Sequence, residues 1–80
     1  MRSVEYTVAA TRQLRKLPAD VRKRIIEKIK RYAETGAGSS TKLVGEPGTR
    51  LRIGDYRAIL TEEPTTVQVL AVGHRREIYR

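Results

Sequence analysis

Arg50, Arg52 and Arg57 put three guanidiniums into one short stretch, Arg50-Leu51-Arg52-Ile53-Gly54-Asp55-Tyr56-Arg57. Guanidiniums grip phosphate bidentately and oppose the extra charge of a pentacovalent transition state. The tail, Gly73-His74-Arg75-Arg76-Glu77-Ile78-Tyr79-Arg80, adds Arg75, Arg76, the only histidine and a tyrosine. Arg75 and Tyr79 are four apart, so one helical turn would set them on the same side. His74 is the sole imidazole, the side-chain type best suited to moving a proton near neutrality. Such a set suits phosphoryl chemistry at RNA. There the ribose 2′-OH is a built-in nucleophile, and the protein supplies a base, an acid and in-line positioning. The competing reading is bland: a solvated arginine face with nearby carboxylates, a surface histidine, and Tyr79 plugging the core beside Ile78. Other site types are missing from the sequence. It has no cysteine, no paired-histidine metal spacing and no serine beside a His–Asp arrangement. Gly36-Ala37-Gly38 follows a helix instead of preceding one, so it reads as a cap and loop and not as a phosphate cradle.

The elements that must position these residues can be read outward from Gly54-Asp55. Glycine supplies the positive φ of a tight hairpin turn. A two-residue loop there sets Ile53 opposite Tyr56, Arg52 opposite Arg57 and Leu51 opposite Ala58. Side chains alternate faces along a strand. Leu51, Ile53, Tyr56 and Ala58 therefore share one face, and Arg50, Arg52 and Arg57 share the other. Like charges directly opposite each other cost up to about 1 kcal/mol per pair, so the crowding needs an anion or counter-ions. Upstream, Val4, Tyr6 and Val8 alternate with polar residues, which predicts a first strand with one buried face. Residues 9–17 change to helical spacing, with Ala10, Leu14 and Leu17 on one side. Pro18 suits the start of a second helix and Asp20 its positive dipole end. Val21, Ile25, Ile29 and Tyr32 or Ala33 give that helix an apolar face, and Gly36 is a stop. Its other face is basic, through Arg22, Lys23, Arg24, Lys28, Lys30 and Arg31. Residues 36–49 read as a loop. Glu62-Glu63-Pro64-Thr65 is a turn, and Thr66–Val72 is a strand apolar on both faces, hence central. The expected fold is α+β, in the order β-α-α-β-β-β. A helical hairpin packs on one face of a mainly antiparallel sheet, and the arginines lie on the other.

Eighty residues make one small domain, 1–80. A chain this short buries only roughly 60–65% of its unfolded surface. Seventeen Lys and Arg against nine Asp and Glu give a formal charge of +8. That balance points to a polyanionic partner, nucleic acid or an acidic protein. With four tyrosines as the only aromatics, no platform for stacking several bases is available. No apolar run is long enough to span a membrane, and the start lacks the apolar core of a secretion signal. The absence of cysteine fits a reducing cytoplasm.

These segments together resemble toxins of the RelE/ParE superfamily, from type II toxin–antitoxin modules. The resemblance is carried by Leu14-Arg15-Lys16-Leu17-Pro18, Lys42-Leu43-Val44-Gly45, the arginine hairpin, and Val72-Gly73-His74-Arg75-Arg76-Glu77-Ile78-Tyr79. It covers essentially the whole chain. It implies, in the RelE branch, a ribosome-dependent endoribonuclease that cuts mRNA in the ribosomal A site, without cofactor or metal, held in check by a RelB-like antitoxin in a hetero-oligomer. By that resemblance Arg57 stabilises the transition state, Arg75 sits beside the scissile phosphate, and Tyr79 orients or activates the nucleophile. Arg50, Arg52 and Arg76 bind phosphate. Arg50 and Arg52 stand where the best-studied branch often has lysine. Arginine effectively never loses its proton, so Tyr79, His74 or Glu46 remain as proton acceptors. The ParE branch implies a DNA gyrase inhibitor instead. A third reading is a non-catalytic partner that represses its operon with an antitoxin.

Overall fold

The computed structural model describes residues 2–78. The strands are β1 (Ser3–Tyr6), β2 (Ser39–Lys42), β3 (Thr49–Ile53), β4 (Tyr56–Glu62) and β5 (Thr66–His74). The helices α1 (Val8–Arg15) and α2 (Ala19–Thr35) lie between β1 and β2 in the chain. The five strands form one sheet in the order β1-β5-β4-β3-β2, with β1 parallel to β5 and every other pair antiparallel. The expected α+β architecture holds, with one strand more than the apolar pattern showed. β2 reads Ser-Ser-Thr-Lys and all four residues are exposed, so it offered no hydrophobic alternation. Pairing with β3 makes it a strand.

One core lies between the sheet and the helices. Ala10 and Leu14 of α1, with Ile25, Ile29, Tyr32 and Ala33 of α2, meet Leu51, Ile53, Ala58, Leu60, Val67, Val69 and Val72 of the sheet. Apolar burial of this kind contributes roughly 25 cal/mol per Å2 removed from water. The first strand ends earlier than its alternation predicts. Thr7 is extended and accepts the Ala10 N–H as the cap of α1, which turns Val8 into the helix, where it is 70% exposed. At the other end of the helical pair, Gly36 adopts φ 76° and returns its N–H to the Tyr32 carbonyl. That left-handed position is one where a Cβ is strained.

β5 explains its own double-sided apolar pattern. Ile59 pairs with Ala71 but Leu60 with Val69, so Leu70 is an extra residue in β5. The bulge switches the buried parity from Val67 and Val69 to Val72. The Leu70 carbonyl accepts the Thr7 hydroxyl, and the Val72 N–H finds the Gln13 side chain of α1. The shift of phase also decides which way the end of β5 faces.

Candidate functional site

The hairpin forms as expected. Gly54 has φ 59°, and among the described residues no non-glycine has a positive φ, the pattern of a turn with glycine at its first central position. Ile53 pairs with Tyr56, Arg52 with Arg57 and Leu51 with Ala58. Leu51, Ile53 and Ala58 are buried under the helices, so Arg52 and Arg57 stand together on the far face. One Arg57 Nη donates to the carbonyls of Gly54 and Tyr56, both at 2.8 Å, which aims the guanidinium along the turn. No carboxylate among the described residues makes an ion pair with Arg57. Its guanidinium pKa is held below the ordinary value, first by desolvation and then by the charges of Arg52, Arg75 and Arg50, with Asp55 opposing.

β5 brings the tail to this face. Gly73 lies opposite Arg57 in the β4–β5 register. The chain then turns over the sheet, with the Arg75 N–H on the Asp55 carbonyl at 2.8 Å and those of Glu77 and Ile78 on the His74 carbonyl. Ile78 comes down on Gly73, where an added Cβ would stand 3.0 Å from Ile78 Cγ1. The bare glycine is therefore the seat of the turn. Arg50, Arg57, Arg75, Arg76 and Ile78 line a cleft of about 450 Å3.

Of the residues singled out from sequence, Arg50, Arg57, Arg75 and Arg76 are brought into one cleft, with Arg52 beside Arg57 in register. His74 is not among them. It pairs with Tyr56 on the helix side of the sheet, the two rings edge to face with centroids 5.5 Å apart. Tyr79 lies outside the described residues. Glu46 lines an adjoining groove of about 370 Å3 with Leu43, Ile59, Ala71 and Glu77, which shares Ile78 as its wall with the cleft. The basic residues Lys23, Arg24, Lys28, Lys30 and Arg31 of α2 are exposed on the helical side of the molecule. Sequence reasoning missed Ile78 as a wall and Gly73 as its seat. A lone apolar residue near a glycine carries no periodicity, and only the turn brings them together.

Four guanidiniums around one cleft supply charged donors and no proton acceptor. The arrangement can hold a phosphodiester and stabilise charge that grows on its oxygens. Acid–base work needs groups at the rim or on the substrate.

Known proteins are similar to this chain in sequence and fold. Residues 4–79 match the family described as ParE toxin of type II toxin–antitoxin system, parDE. Toxin RelG of Mycobacterium tuberculosis is 34% identical, over 98% of this chain and 95% of its own. The toxin–antitoxin complex RelBE of E. coli superposes with TM-score 0.74 at 25% identity, covering 92% of this chain and 96% of that one. The RelB–RelE antitoxin–toxin complex of Methanococcus jannaschii gives TM-score 0.75 at 24% identity, with 94% of each chain covered.

Proposed function

The chain belongs to the RelE/ParE superfamily of type II toxins, and we propose that it is a ribosome-dependent endoribonuclease of the RelE kind. The observation that carries this reading is the cleft in which Arg50, Arg57, Arg75 and Arg76 converge, with Arg57 paired to no carboxylate among the described residues. In the proposed reaction the ribose 2′-oxygen attacks the neighbouring phosphorus in line. The new P–O2′ bond forms as the P–O5′ bond breaks, leaving a 2′,3′-cyclic phosphate and a 5′-hydroxyl. The 2′-OH proton leaves to a base and the 5′-oxygen gains one. Arg57 stabilises the charge on the equatorial oxygens. Arg75 sits beside the departing oxygen. Arg50, Arg52 and Arg76 hold the flanking phosphates, and Tyr79 orients the nucleophile. The ribosome supplies the bent, in-line geometry, and such positioning is worth roughly 7–11 kcal/mol in favourable cases. Naked RNA is accordingly a poor substrate.

The partner in this reading is a RelB-like antitoxin with acidic and apolar segments. It would neutralise a domain of charge +8 and fold on binding. Its action places the toxin in the cytoplasm, with ribosomes and mRNA. The match to the ParE family keeps as the second reading the gyrase inhibition that the resemblance to the ParE branch implies. A cell-free translation reaction separates them. The expected result is mRNA cut at the A site with gyrase supercoiling untouched. Gyrase inhibition without cleavage would replace this reading by the second, and neither activity would leave a non-catalytic co-repressor.

A further inference from the structure

His74 stands two residues before Arg76, and its Nδ1 accepts the Arg76 N–H at 3.2 Å. Three residues on, the Glu77 carboxylate reaches back to the His74 N–H at 3.4 Å. The His74 carbonyl takes the N–H groups of Glu77 and Ile78. This is the reciprocal pattern of a capping box, in which the first residue's side chain accepts from a forward N–H and the fourth residue's carboxylate accepts from the first. An imidazole here takes the place of the usual hydroxyl. The cap opens the turn that carries Arg75 and Arg76 into the arginine cleft, and Ile78 on Gly73 closes it.

We propose that His74 is a positioning residue, whose neutral imidazole caps the C-terminal turn and so aims Arg75 and Arg76 at the phosphate, with Glu77 as its reciprocal partner. Nδ1 must carry a lone pair to accept the Arg76 N–H, so the ring proton belongs on Nε2. Among the described residues the ring meets Tyr56 from β4, edge to face, and the Arg76 N–H of the turn, while the Glu77 carboxylate meets the His74 backbone N–H. Lys16, after the end of α1, lines the hollow that also holds Glu77. None of these replaces Nδ1 as the partner of the Arg76 amide.

The cap itself is read from geometry alone, and its consequence for cleavage rests on the function proposed above. Amide hydrogen exchange of Arg76, Glu77 and Ile78 reads the cap without any activity. Ribosome-programmed mRNA cleavage reads the consequence. His74→Ala should speed exchange at Arg76 and lower kcat by roughly tenfold each, the factor a lost helix cap carries. KM for programmed ribosomes should change little. Asparagine is a strong cap but moves no proton, so His74→Asn should restore most of both readouts. His74→Asn as inactive as His74→Ala, with Arg76 still protected, would make His74 a proton-transfer group and overturn the proposal. Unchanged Arg76 exchange in His74→Ala would overturn it too. Wild-type protein that cuts no mRNA, yet loses Arg76 protection in His74→Ala, would uphold the cap and remove the nuclease reading.

Discussion

Strand β4 carries Arg57 next to its first residue and Glu62 at its last. At the Glu62 end the strand's carboxylate is answered. One Glu62 oxygen takes Arg2 at 2.7 Å and the other takes the hydroxyls of Tyr32 and Thr49, both at 2.8 Å. Arg2 in turn donates to the carbonyls of Ala33 and Tyr32 and lies 5.7 Å from the Tyr32 ring centroid. That clasp ties the N-terminal strand, the end of α2 and the sheet together. At the Arg57 end like charges gather, and among the described residues Arg57 donates to backbone carbonyls of its own turn. A polar group with satisfied partners stabilises a fold, whereas uncompensated like charges store repulsion that a ligand of opposite sign releases. The two ends of one strand thus differ: one ties elements of the fold together, and the other gathers like charges where the proposed function needs an anion.

The most severe way to break this contrast is Arg57→Ala. If Arg57 stabilises developing phosphate charge, cleavage should fall about 100–1000-fold, as when one oxyanion donor is removed. Stability should move by less than about 1 kcal/mol, because lost turn hydrogen bonds and relieved repulsion with Arg52 oppose each other. Urea unfolding beside the ribosome assay checks both. A destabilised mutant that loses activity only by unfolding would make the two ends alike.

The mirror experiment is Glu62→Ala. It should lower stability by roughly 1–2 kcal/mol after discounting for solvent, with the rate per folded molecule unchanged. Urea midpoints together with active-site titration of the folded fraction test it. A drop in rate at full folding would show that the clasp reaches the cleft.

Acid should expose the same clasp. Desolvation raises the Glu62 pKa, but hydrogen bonds from Arg2, Tyr32 and Thr49 and the charge of Arg2 together hold it below the ordinary value. A carboxyl depressed in the folded state contributes stability that is present above its unfolded pKa and lost as pH falls through its folded one. Thermal unfolding across acid pH should show that loss, and Glu62→Gln should flatten it. An unchanged acid slope in Glu62→Gln would assign it to other carboxylates.

The smallest effect belongs to the cleft. Inorganic phosphate at a few times its dissociation constant should stabilise the wild type by about 1 kcal/mol, since only the folded cleft binds it. Arg57→Ala should lose most of that gain and Glu62→Ala none of it. Equal stabilisation of both variants would locate the anion elsewhere, on the basic face of α2.

Near-neighbour physics made part of this molecule legible without coordinates. Glycine's tolerance of positive φ at Gly54 and the period-two alternation on either side settle that Arg52 and Arg57 are neighbours opposite the apolar face. Helical spacing likewise marks Ile25, Ile29, Tyr32 and Ala33 as core, and Gly36 as the stop. These outcomes depend on residues within one turn or one hairpin. What lay beyond the sequence depends on partners far along the chain. β2 exists because β3 pairs with it. The bulge at Leu70 exists where β5 passes from Tyr6 to α1, and it turns His74 toward Tyr56 and Gly73 toward Arg57. Arg2 and Glu62 meet across sixty residues. The position of His74 beside arginines does not give its face in one dimension, because a single inserted residue in a strand reverses every side chain after it. Which face His74 occupies was therefore decided only by the tertiary structure.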